Sequence, residues 1–167
     1  YTVSTVNGSL TIAKVPLTVR ANDDARFVGQ TDTAGYAGLS YSGLVGGETA
    51  VVLGGTATVT RASRGPDGNA AGSNGLVGTY TGALAASGLS SNNYTISYAP
   101  GSYTVVPADQ LLVKVLPVSG VYGNAANYAV SSAQYLTKSN VVVNLSVAAQ
   151  GNNTYVASDG VGGSATF

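Results

Sequence analysis

Cysteine, histidine, methionine and tryptophan are all absent from this 167-residue chain. Without Cys there are no disulfide staples and no thiol nucleophile. Without His there is also no Ser-His triad, no imidazole base and no usual zinc or transition-metal site. Charge is scarce as well. Only 8% of residues are Asp, Glu, Lys or Arg, against about 25% in an ordinary soluble domain. Seven basic residues balance seven acidic ones. No basic stripe is available to neutralise phosphates, so nucleic acid is not an expected partner. No apolar run approaches the length of a membrane span. The polar surface must therefore be built from Ser, Thr, Asn, Gln and Gly, a composition common in exported surface proteins. A Cys-free chain also suits export in unfolded form through an outer-membrane pore, which periplasmic cross-linking would jam.

What the chain does have is a repeat. Tyr1-Thr2-Val3-Ser4 recurs as Tyr94-Thr95-Ile96-Ser97, and Gly8-Ser9-Leu10-Thr11-Ile12 as Gly101-Ser102-Tyr103-Thr104-Val105. Leu17-Thr18-Val19-Arg20 matches Leu111-Leu112-Val113-Lys114, and Val28-Gly29-Gln30 matches Tyr122-Gly123-Asn124. Residues 35–44 match residues 127–136. The spacing is roughly 93 residues throughout, which marks a tandem array of domains. The frame divides the chain into the closing hairpin of one copy (1–14), a whole copy (15–107) and the opening part of a third (108–167). The linkers, Lys14-Val15-Pro16 and Val106-Pro107-Ala108, are short and contain Pro, which predicts constrained neighbours and a stiff rod.

The local pattern is period-two alternation bounded by Gly, Pro or Asn, the signature of strands. Strands are expected at 17–20, 38–42, 51–59, 79–84, 111–116, 141–147 and 154–157. A short helical turn is expected within 46–51. Tyr94, Ile96 and Tyr98 share one face, Pro100-Gly101 offers a type II turn, and Tyr103 and Val105 resume the apolar face, so 94–106 reads as a hairpin. Asn7-Gly8 supplies a hairpin turn at the aligned place in the first copy. The fold class is all-β: small antiparallel sandwich or barrel-like modules, with a β-grasp arrangement around one short helical turn as runner-up. The expected core is Leu17, Val19, Leu44, Val52, Val59, Tyr80, Leu84, Tyr94, Ile96, Tyr103 and Val105.

An ordered set of residues resembles the MBG and YDG-type repeat modules of bacterial surface adhesins. It comprises Pro16-Leu17-Thr18-Val19, Asn22-Asp23-Asp24, Val28-Gly29, residues 42–50, Gly78-Thr79-Tyr80, and Asn93-Tyr94-Thr95-Ile96 with its hairpin. Val28 departs from the usual Tyr of that position. The resemblance implies a large extracellular protein, similar to filamentous-haemagglutinin-like or biofilm-matrix adhesins, with modules strung in series and no catalytic residues.

Four groups of residues could carry function. Asn22, Asp23 and Asp24 could bind calcium at the module junction with Asp32, Asp67 or Asp109 completing the shell, or could be a polar turn; their spacing matches no recognised calcium loop. The eleven Tyr could stack on sugars or, as their alternation favours, form the buried face of strands. Glu48, the one Glu, could promote an isopeptide cross-link from Lys14, Lys114 or Lys138, though no spacing supports it. Tyr1, Val3, Leu10 and Ile12 could complete, by strand addition, the module begun at residue 108 of another chain. No pair among the acids is placed to suggest a hydrolase, so no enzymatic activity is expected. The expected function is a structural repeat of a cell-surface adhesin or biofilm-matrix filament. The alternative is a module that binds host or matrix glycans, including mucin, through exposed Tyr and Asn side chains. Expected partners are neighbouring repeats and, head to tail, other copies.

Overall fold

The computed structural model describes residues 1–62, 76–118, 120 and 122–167. Asp67, named above as a candidate calcium ligand, lies outside them. Among the described residues the chain is built of strands, with one 3₁₀ turn at Ala50–Val52.

The whole repeat forms two sheets. In the first, β1 (Val15–Ala21) lies between β3 (Leu39–Ser42) and β6 (Tyr94–Ala99). In the second the order is β2 (Asp24–Phe27), β7 (Gly101–Val106), β5 (Gly78–Ser90), β4 (Gly54–Arg61). Alternation along β1 turns Leu17, Val19 and Ala21 inward and Pro16, Thr18 and Arg20 outward. The inward set meets Tyr80, Ala83, Leu84, Tyr94, Tyr103 and Val105 in one core shared by both sheets. Of the expected core, Leu44, Val59 and Ile96 are partly buried against this cluster, while Val52 faces solvent from the 3₁₀ turn. The expected strand at 51–59 therefore begins only at Gly54, because Val52 and Leu53 donate back to Thr49 and Ala50.

The expected hairpin at 94–106 does not form. β6 pairs with β1, parallel, in one sheet; β7 pairs with β5 and, parallel, with β2 in the other. Two parallel strands thus cross together from sheet to sheet, one at Asn22-Asp23 and the other at Pro100. Pro100 has no N–H to give a ladder, so it suits the crossing. Gly101 is needed for closeness and not for a turn. A Cβ there would lie 2.4 Å from the Ala21 carbonyl oxygen of the adjacent crossing strand. The period-two pattern was right for Tyr94, Ile96, Tyr103 and Val105, while Tyr98 is exposed and bonds through its hydroxyl to the Leu89 backbone; what the pattern could not distinguish is a turn from a corner.

Residues 1–14 form no regular secondary structure, and their side chains are exposed. The hairpin expected there is absent, because a strand needs a ladder partner and none of the described strands pairs with it.

After the whole repeat, β8 (Leu111–Val115) and β9 (Val130–Leu136) pair antiparallel, with β10 (Val142–Asn144) outside β9. A last sheet has the order β11 (Ser146–Gly151), β12 (Thr154–Ser158), β13 (Ser164–Thr166). The repeat seen in sequence is carried into backbone register. β1 and β3 pair Thr18 with Ser42, Val19 with Tyr41 and Arg20 with Ser40. Their sequence equivalents pair in the same way: Leu112 with Gln134, Val113 with Ala133, Lys114 with Ser132.

Candidate functional site: the junction after the whole repeat

The residues singled out as a calcium cluster stand at the corner where β1 becomes β2. They point apart, as neighbours on an extended chain must. Asp23 accepts from Arg20 at 2.8 Å and from the Ser102 backbone N–H at 2.7 Å, pinning one crossing strand to the other. Asp24 is buried and accepts from Lys114 Nζ at 2.6 Å and from the Ala25 N–H. Asn22 donates to the Ala37 carbonyl at 2.9 Å, while its buried Oδ1 takes no hydrogen bond. Each carboxylate is thus engaged by a cation of the chain itself. Among the described residues no group of three or more Asp or Glu stands close enough to hold a metal ion.

Asp32 is not at this corner but forms a separate hub. It accepts from Arg26 at 2.6 Å, from Arg61 at 3.0 Å, from Tyr103 at 3.0 Å and from Tyr36 at 3.2 Å. The Arg61 guanidinium lies over the rings of both Tyr80 and Tyr103, with its side chain only 2% exposed. Burial pushes the Asp32 carboxyl up, but hydrogen bonds from Arg26, Arg61 and Tyr103 outweigh it and hold the group below its ordinary value. Burial and then the Asp32 charge push the Tyr103 hydroxyl well above its ordinary value. Glu48 meets no Lys here: it accepts from the Tyr94 hydroxyl, which in turn accepts from the Val45 N–H. That pair ties the loop after β3 to β6.

Lys114 belongs to β8, so its bond to Asp24 crosses from the whole repeat to the region after it. Residues 107–110 alone separate β7 from β8. Around the ion pair, Phe27 and Val106 pack with Leu112 and Leu136 in a second apolar cluster. Gln30 adds a hydrogen bond to the Asn140 carbonyl at 3.2 Å. The contact has the make-up of a small interface: an apolar centre, one ion pair in which Asp24 is buried and Lys114 partly exposed, and a polar rim. Beside it lies an open groove of ≈ 570 Å³ that includes Arg20, Asn22, Tyr41, Val115 and Pro117 in its lining.

A model of the MBG domain family, YGX type, matches residues 17–104. The chain belongs to that family. No curated protein and no solved structure matches it. The matched span runs from Leu17 in β1 to Thr104 in β7, so the MBG domain is the two-sheet unit described above. MBG domains are repeat modules of surface proteins. The junction contacts are therefore contacts between one end of an MBG domain and the next strands of the chain. Sequence reasoning expected a constrained junction but missed the contact that makes it, because Lys114 and Asp24 stand 90 positions apart. The one available signal was rarity: with fourteen charges in the chain, each is worth asking what it pairs with.

Proposed function

We propose that the chain is a stalk or fibre segment of a bacterial surface adhesin or biofilm-matrix filament, acting outside the cell, and that its role is mechanical and not catalytic. One observation carries the reading. The MBG domain is locked to the strands after it by the Asp24–Lys114 ion pair and the Phe27, Val106, Leu112, Leu136 cluster, across a very short linker. A junction of this kind transmits orientation, which a stalk requires and a flexible tether lacks. The Tyr side chains lend further support. Tyr80, Tyr94 and Tyr103 are core residues, so these three rings hold the domain together and are not free to stack on a ligand. The test is a spin-label distance distribution across the junction, from β4 to β12. One narrow peak is expected. A broad distribution spanning tens of ångströms would overturn the stiff-rod reading.

A second reading, glycan binding, draws on the open groove, where Arg20 and Tyr41 offer a cation and a ring beside apolar Val115 and Pro117. A glycan array decides it: signal lost in Tyr41→Ala would favour this reading over a purely mechanical one.

A further inference from the structure

The two sheets of the MBG domain have four outer edges, and three of them are short or covered. β2 and β3 are four residues long, and β2 also packs Phe27 against Leu112 of β8. β6 is tied to the end of β5, where the Tyr98 hydroxyl accepts from the Leu89 N–H and donates to the Leu89 carbonyl. β4 is the exception. It is eight residues long, pairs with β5 alone among the described strands, and stands at the end of its sheet away from β2 and the junction. Natural sheets guard such an edge with Lys, Pro or a bulge. β4 has a bulge between Gly55 and Thr58, but from Thr58 to Arg61 its ladder is regular. Residues 49–60 contain neither a charge nor a Pro, and the Arg61 side chain is turned inward over Tyr80 and Tyr103.

The hydrogen-bonding groups at this edge can be assigned. Ala62 donates to the Ala83 carbonyl of β5 at 2.8 Å. Along an antiparallel strand, residues bond to one side and the other in turn. Thr58 and Thr60 therefore bond to β5, while Val59 and Arg61 turn N–H and C=O away from it. Arg61 shows the opening directly. Its side chain is 2% exposed, yet the residue as a whole is partly exposed, so solvent reaches its main chain. Side chains alternate as well. Val59 packs toward the core and Arg61 lies over the tyrosine rings, which leaves Thr58 and Thr60 on the outer face, both exposed.

Such an edge is complementary to itself. Two copies laid antiparallel around a two-fold axis through Thr60 set Val59 of each opposite Arg61 of the other. Both residues have their backbone groups turned outward, so each pair exchanges an N–H and a C=O in both directions. Thr60 then meets Thr60 at the close, non-bonded position, which is a favourable cross-strand pair. A register centred on Arg61 would instead set two cationic residues opposite each other. With the axis at Thr60 no charge faces its like, and β-branched neutral side chains meet their own kind.

We propose that the outer edge of β4 binds the same edge of a second copy of this chain as an antiparallel strand, joining two four-stranded sheets into one. A second copy is the fitting occupant because the donors, acceptors and neutral side chains of the edge match themselves around Thr60. The contact is isologous, so it closes at a pair of chains side by side. Being short, it belongs with weak, concentration-dependent contacts.

The test is sedimentation equilibrium of the purified chain across concentration, with amide exchange followed residue by residue. The wild type is expected to pass from monomer to dimer as concentration rises. The Val59 and Arg61 amides should gain protection with it, while Ala62, already bonded to β5, should not change. Thr60→Lys and Thr60→Glu alter only an exposed side chain, so each should melt as wild type does. Each alone is expected to weaken the dimer at least about tenfold, because like charges then stand directly opposite. Mixed, the two variants should recover it, because Lys then faces Glu. A wild type that stays monomeric overturns the proposal and leaves the edge to a strand of another sequence. A Thr60→Lys chain that dimerises like wild type, or a mixture that fails to recover the dimer, overturns it as well. None of these results touches the stiff junction, which is read from a distance within one chain.

Discussion

The MBG domain and the strands after it share a register but not a core. β1 with β3, and β8 with β9, pair through equivalent residues in the same way. Yet Leu17 is fully buried and Leu111 is not. Pairing two neighbouring strands is a local matter, set by which residues alternate and by the loop between them. Burial is not local. It depends on β6 and on β5 and β7 of the opposing sheet, none of which begins before Gly78. Similar strand sequences therefore carry different energies in the two regions.

The most direct way to break this comparison is to truncate both leucines. Leu17→Ala should cost about 3 kcal/mol of stability, in the usual range for a fully buried leucine, and Leu111→Ala about 1 kcal/mol. Urea melts followed by a probe in each region would measure both. Equal losses would mean that the half-covered face of β8 is packed as tightly as the core of the domain.

The next effect belongs to the Asp32 hub, for which the later region offers no counterpart among its described ion pairs. Asp32→Ala leaves the buried Arg61 guanidinium without its carboxylate, and should cost about 3 kcal/mol, as breaking a largely buried pair does. Asn in its place should lose less, since a neutral acceptor remains. If Asp32→Ala melts within a degree of wild type, Arg61 does not depend on that carboxylate for its place in the fold.

The same hub predicts a pH window. The Asp32 carboxyl is held below its ordinary value in the fold, so its contribution is present at neutral pH and is lost as pH falls through the folded value, below about 4. Tyr103 runs the other way. Its folded value is raised, so its contribution is whole below the ordinary tyrosine value and is lost as pH climbs past about 10. Melting temperature should be flat between these limits and fall on both sides. In Tyr103→Phe the alkaline fall should shrink.

Much of the domain was legible in the sequence because period-two alternation reports burial directly. Leu17, Val19, Tyr80, Leu84, Tyr94, Tyr103 and Val105 are buried as that pattern requires. Phe27 was passed over because it sits in a short strand that begins within Asn22-Asp23-Asp24, which reads as a polar turn. Asp24 opens that strand because Lys114, distant in sequence, compensates its charge. The Asp32 hub was illegible for the same reason: Arg26, Arg61 and Tyr103 reach it from three different strands, with nothing in the order of residues to join them. The corner at Pro100 was misread because Pro-Gly punctuates the chain identically whether it returns on itself or changes sheet.

The smallest expected effect is also the one closest to function. Lys114→Met keeps the aliphatic stem against the junction but removes the cation from Asp24, whose side chain is 3% exposed. Asp24 still caps the Ala25 N–H at 2.7 Å, so its carboxylate is not stranded and the MBG domain itself should melt almost unchanged. What should weaken, by about 1 kcal/mol, is the coupling between the domain and the strands after it, less than for the Asp32 hub because Asp24 keeps its backbone hydrogen bond. The signature is then a wider inter-label distance distribution across the junction with no fall in the melting temperature of the domain. High salt should mimic the variant in the wild-type chain, though weakly, because the pair is largely shielded from solvent. If both treatments leave the distribution as narrow as before, orientation is held by Phe27, Val106, Leu112 and Leu136 alone, and the ion pair serves to choose the register of the contact and not its strength.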